Sequence, residues 1–232
     1  MSVQTDASTT LDVRALGVTA VNRALRALPD GASATLIEVR GAHNLGVGLF
    51  NNITITINGN TGYYAAGLCD GPDFVINGSV GWGVGENLMS GVVRVRGNAS
   101  ESTAATAHGG LVIVEGDASS RAAISLKGGS LAVAGNVGHM SAFMAQAGTV
   151  LVGGDAGDSL GDSLYEAVIY VGGTIRSLGA DARTEELTDA DITKVRDMCQ
   201  AANFDHINAD TVTKVVSARA LYHFDALKDQ RY

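Results

Sequence analysis

The sequence predicts an all-β solenoid, a right-handed parallel β-helix with 19-residue coils, flanked by short N- and C-terminal helices. Three observations predict it. Glycine recurs at every nineteenth position, at Gly59, Gly78, Gly97, Gly116, Gly135, Gly154 and Gly173. Each glycine follows an alternating apolar pair: Ile55/Ile57, Phe74/Ile76, Val93/Val95, Val112/Val114, Leu131/Val133, Val150/Val152 and Ile169/Val171. The columns between the glycines also stay in phase. A period of about 20 residues marks an architecture in which one coil cannot bury its own apolar face and stacks on the next.

With the recurring glycine as position zero, each column has a reading. Positions −4 and −2 alternate as a strand with one buried face. Position +2 (Thr61, Val80, Ala99, Ala118, Val137, Ala156) and position +10 (Cys69, Leu88, Ala107, Leu126, Ala145, Leu164) are small or apolar and read as inward. Glycines at zero, +3 and +13 mark corners, where a positive φ or a close approach of two backbones is needed. Stacking at roughly 4.8 Å makes seven coils span roughly 34 Å. The right-handed form is favoured because left-handed solenoids repeat in hexapeptides, and 19 is not a multiple of six. A disordered glycine-rich tract would not keep its apolar columns in phase.

The flanks follow in order. Residues 1–10 read as a disordered tail and 11–34 as an N-terminal capping segment. In that segment residues 11–13 form a short strand, and Thr19 caps a helix with Val21, Leu25 and Leu28 on one face. Pro29, Asp30 and Gly31 end that helix. Residues 35–180 form the β-helix. Residues 181–232 form a helical and extended tail. Thr188-Asp189-Ala190-Asp191 resembles a capping box, with Ile192, Val195, Cys199 and Ala202 following at helical spacing. The capping segments protect coil ends that would otherwise expose unpaired backbone.

Composition narrows the function. Charged residues make up 17% of the 232 residues, below the usual ~25%. On an elongated rod, that points to surface covered by partners. The net charge of −8 argues against nucleic acid. No apolar run reaches the ~18 residues of a membrane span, and the N-terminus lacks the basic and apolar regions of a signal peptide. The chain is therefore expected to be cytoplasmic. Cys69 and Cys199 are the only cysteines. They are too few for an iron–sulfur cluster or a four-cysteine zinc site, and Cys69 sits in an inward column.

The search for chemistry yields no constellation. Of the five histidines, His43, His108, His139, His206 and His223, His108 falls at +11 and His139 at +4, in different columns. The carboxylates are scattered over corners, and there is no phosphate-binding lysine loop. A nucleophile cysteine at the second position is replaced by Ser2. No catalytic, cofactor-binding or metal residue is assigned. Candidate contact residues are those with long side chains at small-residue corners: Glu86, Asn87 and Met89, and His139 with Met140. For His108 and His139, partner contact and a hydrogen-bonded corner role stay open. The apolar tail around Leu221, Tyr222 and Phe224 either folds back on the coils or docks on another subunit.

The stretches GYYAAGLCDG (62–71), GVGENLMSGVVRVRGNAS (83–100), ATAHGGLVIVEGDA (105–118), VGHMSAFMAQAG (137–148) and GDSLYEAVIYVGGTIRSLGAD (161–181) carry a family resemblance. They resemble the β-helix subunit of N-methylglutamate synthase and its stand-alone relatives, from about residue 10 to 205. The coils also resemble the C-terminal β-helix (GXGXG) domain of the glutamate synthase large subunit and the β-helix subunit of formylmethanofuran dehydrogenase. The resemblance implies a non-catalytic scaffold. It would bridge a glutaminase-like subunit and a synthase subunit carrying FMN and an iron–sulfur cluster, in a complex that makes N-methylglutamate and ammonia from glutamate and methylamine. The alternatives it leaves are a related amidotransferase with another amine, and the scaffold subunit of a formyltransferase/hydrolase complex.

Overall fold

A computed structural model describes residues 8–221. Its strands are β1 (Ser8–Asp12), β2 (Ser33–Ile37), β3 (Thr54–Asn58), β4 (Asp73–Asn77), β5 (Val92–Val95), β6 (Leu111–Val114), β7 (Lys127–Val133), β8 (Ala147–Val152), β9 (Val168–Val171), β10 (Ala182–Glu185) and β11 (Thr213–Ser217). The helices are α1 (Val13–Leu16), α2 (Val18–Arg26) and α3 (Asp189–Ala202). Strands β1 to β9 stack in chain order as one parallel sheet, and β11 and β10 close its far end. The fold is a parallel β-solenoid, as the glycine register requires.

The pairing carries the register residue by residue. Ile55 lies opposite Phe74, Phe74 opposite Val93, and Val93 opposite Val112. The inward columns −4 and −2 are wholly buried, and so are +2 and +10. A second line of bridges runs through +2, from Val80 to Ala99, Ala118, Val137, Ala156 and Ile175. Cys69 is buried, with its thiol donating to the Gly46 carbonyl at 3.0 Å. Burial pushes that thiol up to about 11, an inert core group rather than a nucleophile.

The recurring glycine itself is there for close approach. At Gly97 the backbone does not adopt positive φ. A Cβ would instead lie 2.9 Å from the carbonyl carbon of Gly78 in the coil below. Beside it runs a ladder at position +1. The Ser79 N–H donates to Asn60 Oδ1 (2.8 Å), the Asp117 N–H to Asn98 Oδ1 (2.9 Å) and the Asn136 N–H to Asp117 Oδ1 (2.7 Å). These bonds supply acceptors where the corner breaks the strand pairing.

The ends differ from the expectation. Residues 8–10, read as tail, belong to β1, which pairs in parallel with β2 from Ser8↔Ser33 onward. The stacked strands thus begin ahead of residue 35. The helix that carries Val21 and Leu25 is α2, which starts after Gly17 with no side-chain cap, so Thr19 lies within its first turn; the side-chain cap belongs to α1, where Asp12 accepts from the Ala15 N–H. α2 covers the open end of the solenoid by burying Val21 and Leu25. Its Asn22 and Arg26 side chains bind the carbonyls of Asn44, Val47 and Gly48.

α3 starts at the expected capping box but does not sit on the solenoid's end. It lies on the outer face of the sheet, where Val195, Met198 and Ala202 pack with Ile113, Ala132, Leu151 and Tyr170. The end is closed by β11, antiparallel to both β9 and β10. Residues 205–217 therefore fold back onto their own coils.

Candidate docking face

The stretch from +4 to +10 forms neither strand nor helix. Its backbone alternates through the left-handed region at +5, +7 and +9 in each of these coils. In the Tyr64, Ala66 and Leu68 coil the φ values are 60°, 56° and 58°, and in the Ser102, Ala104 and Thr106 coil 59°, 56° and 54°. Such φ values are costly for residues other than glycine. Hydrogen bonds to both neighbours offset the cost. The Tyr64 N–H donates up to the Trp82 carbonyl (2.7 Å), the Ala66 N–H down to the Leu45 carbonyl (2.9 Å) and the Leu68 N–H up to the Glu86 carbonyl (2.8 Å). The later coils repeat this pattern, so the segment knits the stack together on both sides. Positions +6 and +7 turn inward as two further buried columns, among them Ala65 and Ala66, Thr103 and Ala104, and Ala122 and Ala123. Positions +4, +5, +9 and +11 project outward.

On the first coils these outward positions are aromatic and apolar. His43, Tyr63 and Trp82 occupy +4 on successive coils and stack, with ring centroids 4.4 and 5.3 Å apart. His43 Nδ1 accepts from the Tyr63 N–H at 2.8 Å, so its proton resides on Nε2. Phe50, Tyr64, Leu68 and Met89 are exposed on the same three coils. Of the eight large apolar side chains exposed among the described residues, six lie between residues 50 and 89. That concentration on three adjacent coils sets this region apart from ordinary scattered exposure.

Within the patch is a shallow hollow of about 300 Å³ lined by Asn44, Val47, Tyr64, Leu68, Glu86 and Asn87. Burial raises the Glu86 carboxyl above its usual range. The Asn87 Oδ1 accepts from the Thr106 hydroxyl at 2.9 Å, which fixes the amide against the next coil.

The structure thus brings the candidate residues Glu86, Asn87 and Met89 into one patch, beside aromatics that sequence reasoning did not single out. His108 shares the +11 column with Phe50 and Met89. His139 and Met140 share +4 and +5 with Trp82 and Gly83 but lie three coils further along. His139 Nδ1 is 3.1 Å from the Asp158 carbonyl, so the ring is tied to the neighbouring corner. Leu221 is exposed at the far end of the chain, and Tyr222 and Phe224 lie outside the described residues. The missed aromatics had a partial signal: Tyr63 and Trp82 are 19 residues apart and hold one column, which His43, 20 residues before Tyr63, joins in the structure.

Protein GlxC of Rhizobium meliloti (strain 1021) is 49% identical over 207 residues, covering 88% of this chain and 91% of that protein. The chain belongs to the GlxC family. The GlxC relationship takes in nearly the whole chain rather than the glycine repeat alone. No family model matches the chain, and no solved structure matches it. Among the described residues, no helix is long and apolar enough to cross a membrane.

Proposed function

We propose that this GlxC-family chain is a scaffold subunit of a glutamate synthase-related enzyme complex and itself carries no active site. The observation that carries the reading is the aromatic patch on a stiff stack. A rod hydrogen-bonded on every coil holds what docks on it at fixed separation, and its large exposed side chains are concentrated on three successive coils. The sequence resemblance supplies the partners: a glutaminase-like subunit, and a synthase subunit with FMN and an iron–sulfur cluster. Fixed separation suits such a pair, because ammonia passed between two sites is lost when their distance fluctuates. The finer reading is N-methylglutamate synthase, with methylamine as the amine.

The test is co-expression of the chain with a glutaminase-like subunit and an FMN-binding synthase subunit from the same source, followed by size-exclusion chromatography and assay. The expected result is one co-eluting complex that forms N-methylglutamate only when all chains are present. A chain that elutes alone beside both partners defeats the scaffold reading. A complex that turns over a different amine retains the scaffold and defeats only the methylamine assignment.

A further inference from the structure

Two walls of the hollow, Tyr64 and Glu86, meet over a position that carries no side chain. Position +5 is left-handed in every coil from Asn44 to Ser159, and most coils fill it with a side chain: Asn44, Tyr64, Ser102, Arg121, Met140 and Ser159, at φ between 54° and 60°. The conformation therefore does not demand glycine. Yet position 83 is glycine, at φ 70°. A Cβ there would lie 2.7 Å from the nearest Tyr64 ring carbon and 2.9 Å from a Glu86 carboxylate oxygen. Gly83 is the space that lets an aromatic ring and a carboxylate converge on one point.

What converges there lacks a complement. Among the described residues, the Glu86 carboxylate has no hydrogen-bond donor and no cation. The cation on the adjoining cap, Arg26, is committed to the carbonyls of Gly48 (3.0 Å) and Val47 (2.7 Å). A carboxylate beside an aromatic ring is the pairing that accepts an alkylammonium or guanidinium group, by a charge-assisted hydrogen bond on one side and a cation–π contact on the other. The surroundings fix the source of that group. The hollow is open, so a free small cation would keep most of its hydration. The exposed Leu68 in its wall, and the exposed Trp82 next in the chain to Gly83, add contact area only for something larger.

We infer that the hollow lined by Tyr64 and Glu86 receives a lysine or arginine side chain of a partner protein, whose flanking apolar residues pack on the aromatic patch. This rests on the scaffold reading in that a partner must exist, but not on which enzyme the partner belongs to.

The test uses the full-length chain and two blocked tripeptides, one with arginine between two leucines and one with glutamate in the arginine's place. Backbone amide shifts are followed by NMR. The inference expects saturable shifts for residues 64, 83, 86 and 87 with the arginine peptide and none with its glutamate analogue. Glu86→Gln should weaken the arginine peptide by about ten-fold or more, and Gly83→Leu should abolish binding by pushing Tyr64 and Glu86 apart. Because Gly83→Leu could unsettle its coil, Glu86→Gln is the deciding variant. Equal binding by Glu86→Gln, equal binding of the glutamate peptide, or no saturable shift overturns the inference. So does a self-associating chain that Trp82→Ala renders monomeric, since the occupant would then be a second copy. The co-elution test can fail while the peptide binds, and the reverse, so the two claims are separable.

Discussion

The two long faces of this solenoid have been treated in opposite ways. On the sheet face, the outward column at −3 runs Thr56, Val75, Arg94 and then Ile113, Ala132, Leu151, Tyr170. The apolar half is covered by the chain's own α3. Arg94 stands at the boundary and caps the helix, its guanidinium donating to the carbonyls of Ala202 (2.9 Å) and Ala201 (3.0 Å). On the left-handed face the order is reversed. The apolar side chains cluster at the N-terminal coils, and no element of the chain among the described residues covers them. One apolar surface is consumed in folding and the other is left available, which separates residues that stabilise from residues that recruit.

The largest expected effect comes from undoing the folded-back end. Removing residues 205–232 deletes β11 and strips Ala209, Val212 and Val215 from the buried set. It also leaves the β9 edge unpaired. The cost is about 4–6 kcal/mol, a fall in Tm on the order of 10–20 °C. An unchanged melting curve would mean that the segment serves assembly rather than the fold.

A smaller effect separates the two halves of the −3 column. Leu151→Ala, beneath α3, should cost about 2–4 kcal/mol in chemical denaturation, whereas Val75→Ala in the uncovered half should cost under ~1 kcal/mol. Equal losses would show that α3 adds no burial. Gly97→Ala should cost about 1–3 kcal/mol through the close approach to Gly78, a clash rather than a φ penalty.

The attachment of α3 is also sensitive to pH. Burial alone would raise the Asp191 carboxyl. Hydrogen bonds from Thr188 and Tyr170, with Lys214 at 3.0 Å, outweigh burial and hold it well below the usual carboxylate range. Its folded pKa is depressed, so its stabilisation is full above the ordinary carboxylate pKa and is lost as pH falls toward the depressed one. Asp191→Asn should therefore cost about 1–3 kcal/mol near neutrality. The gap between variant and wild type should shrink as pH drops below about 4; a gap that stays constant with pH would contradict the network. The smallest stability effect is expected at Trp82→Ala, within about 0.5 kcal/mol of wild type, while binding of a partner should be lost.

The inward columns were legible because burial repeats the same chemistry in every coil. The route of the +5 to +9 segment was not. Asparagine or glycine marks only some of its left-handed positions, such as Asn44, Asn87 and Gly85; the others carry tyrosine, alanine, leucine, serine, threonine, arginine and methionine, which do not advertise a positive φ. α3 was legible as a helix from its capping box. Its seat on the sheet flank was written only in the −3 column, which after Arg94 runs Ile113, Ala132, Leu151 and Tyr170 without a charged residue, a pattern that shows once the outward column is read separately. β11 escaped because a short run without strict alternation does not reveal a pairing partner far upstream in the chain. Of the candidate site, Glu86 and Asn87 stood out by size among small residues. Gly83 did not, since glycine in a glycine-rich repeat signals nothing until its neighbours are placed.

The most direct test of the central claim is amide hydrogen exchange, read by mass spectrometry, on the full chain alone and in its purified complex. The account predicts new protection in the peptides spanning residues 62–70 and 81–90, with exchange over α3 unchanged. Protection confined to α3 and the sheet flank, with 62–70 and 81–90 exchanging as in the free chain, would contradict it.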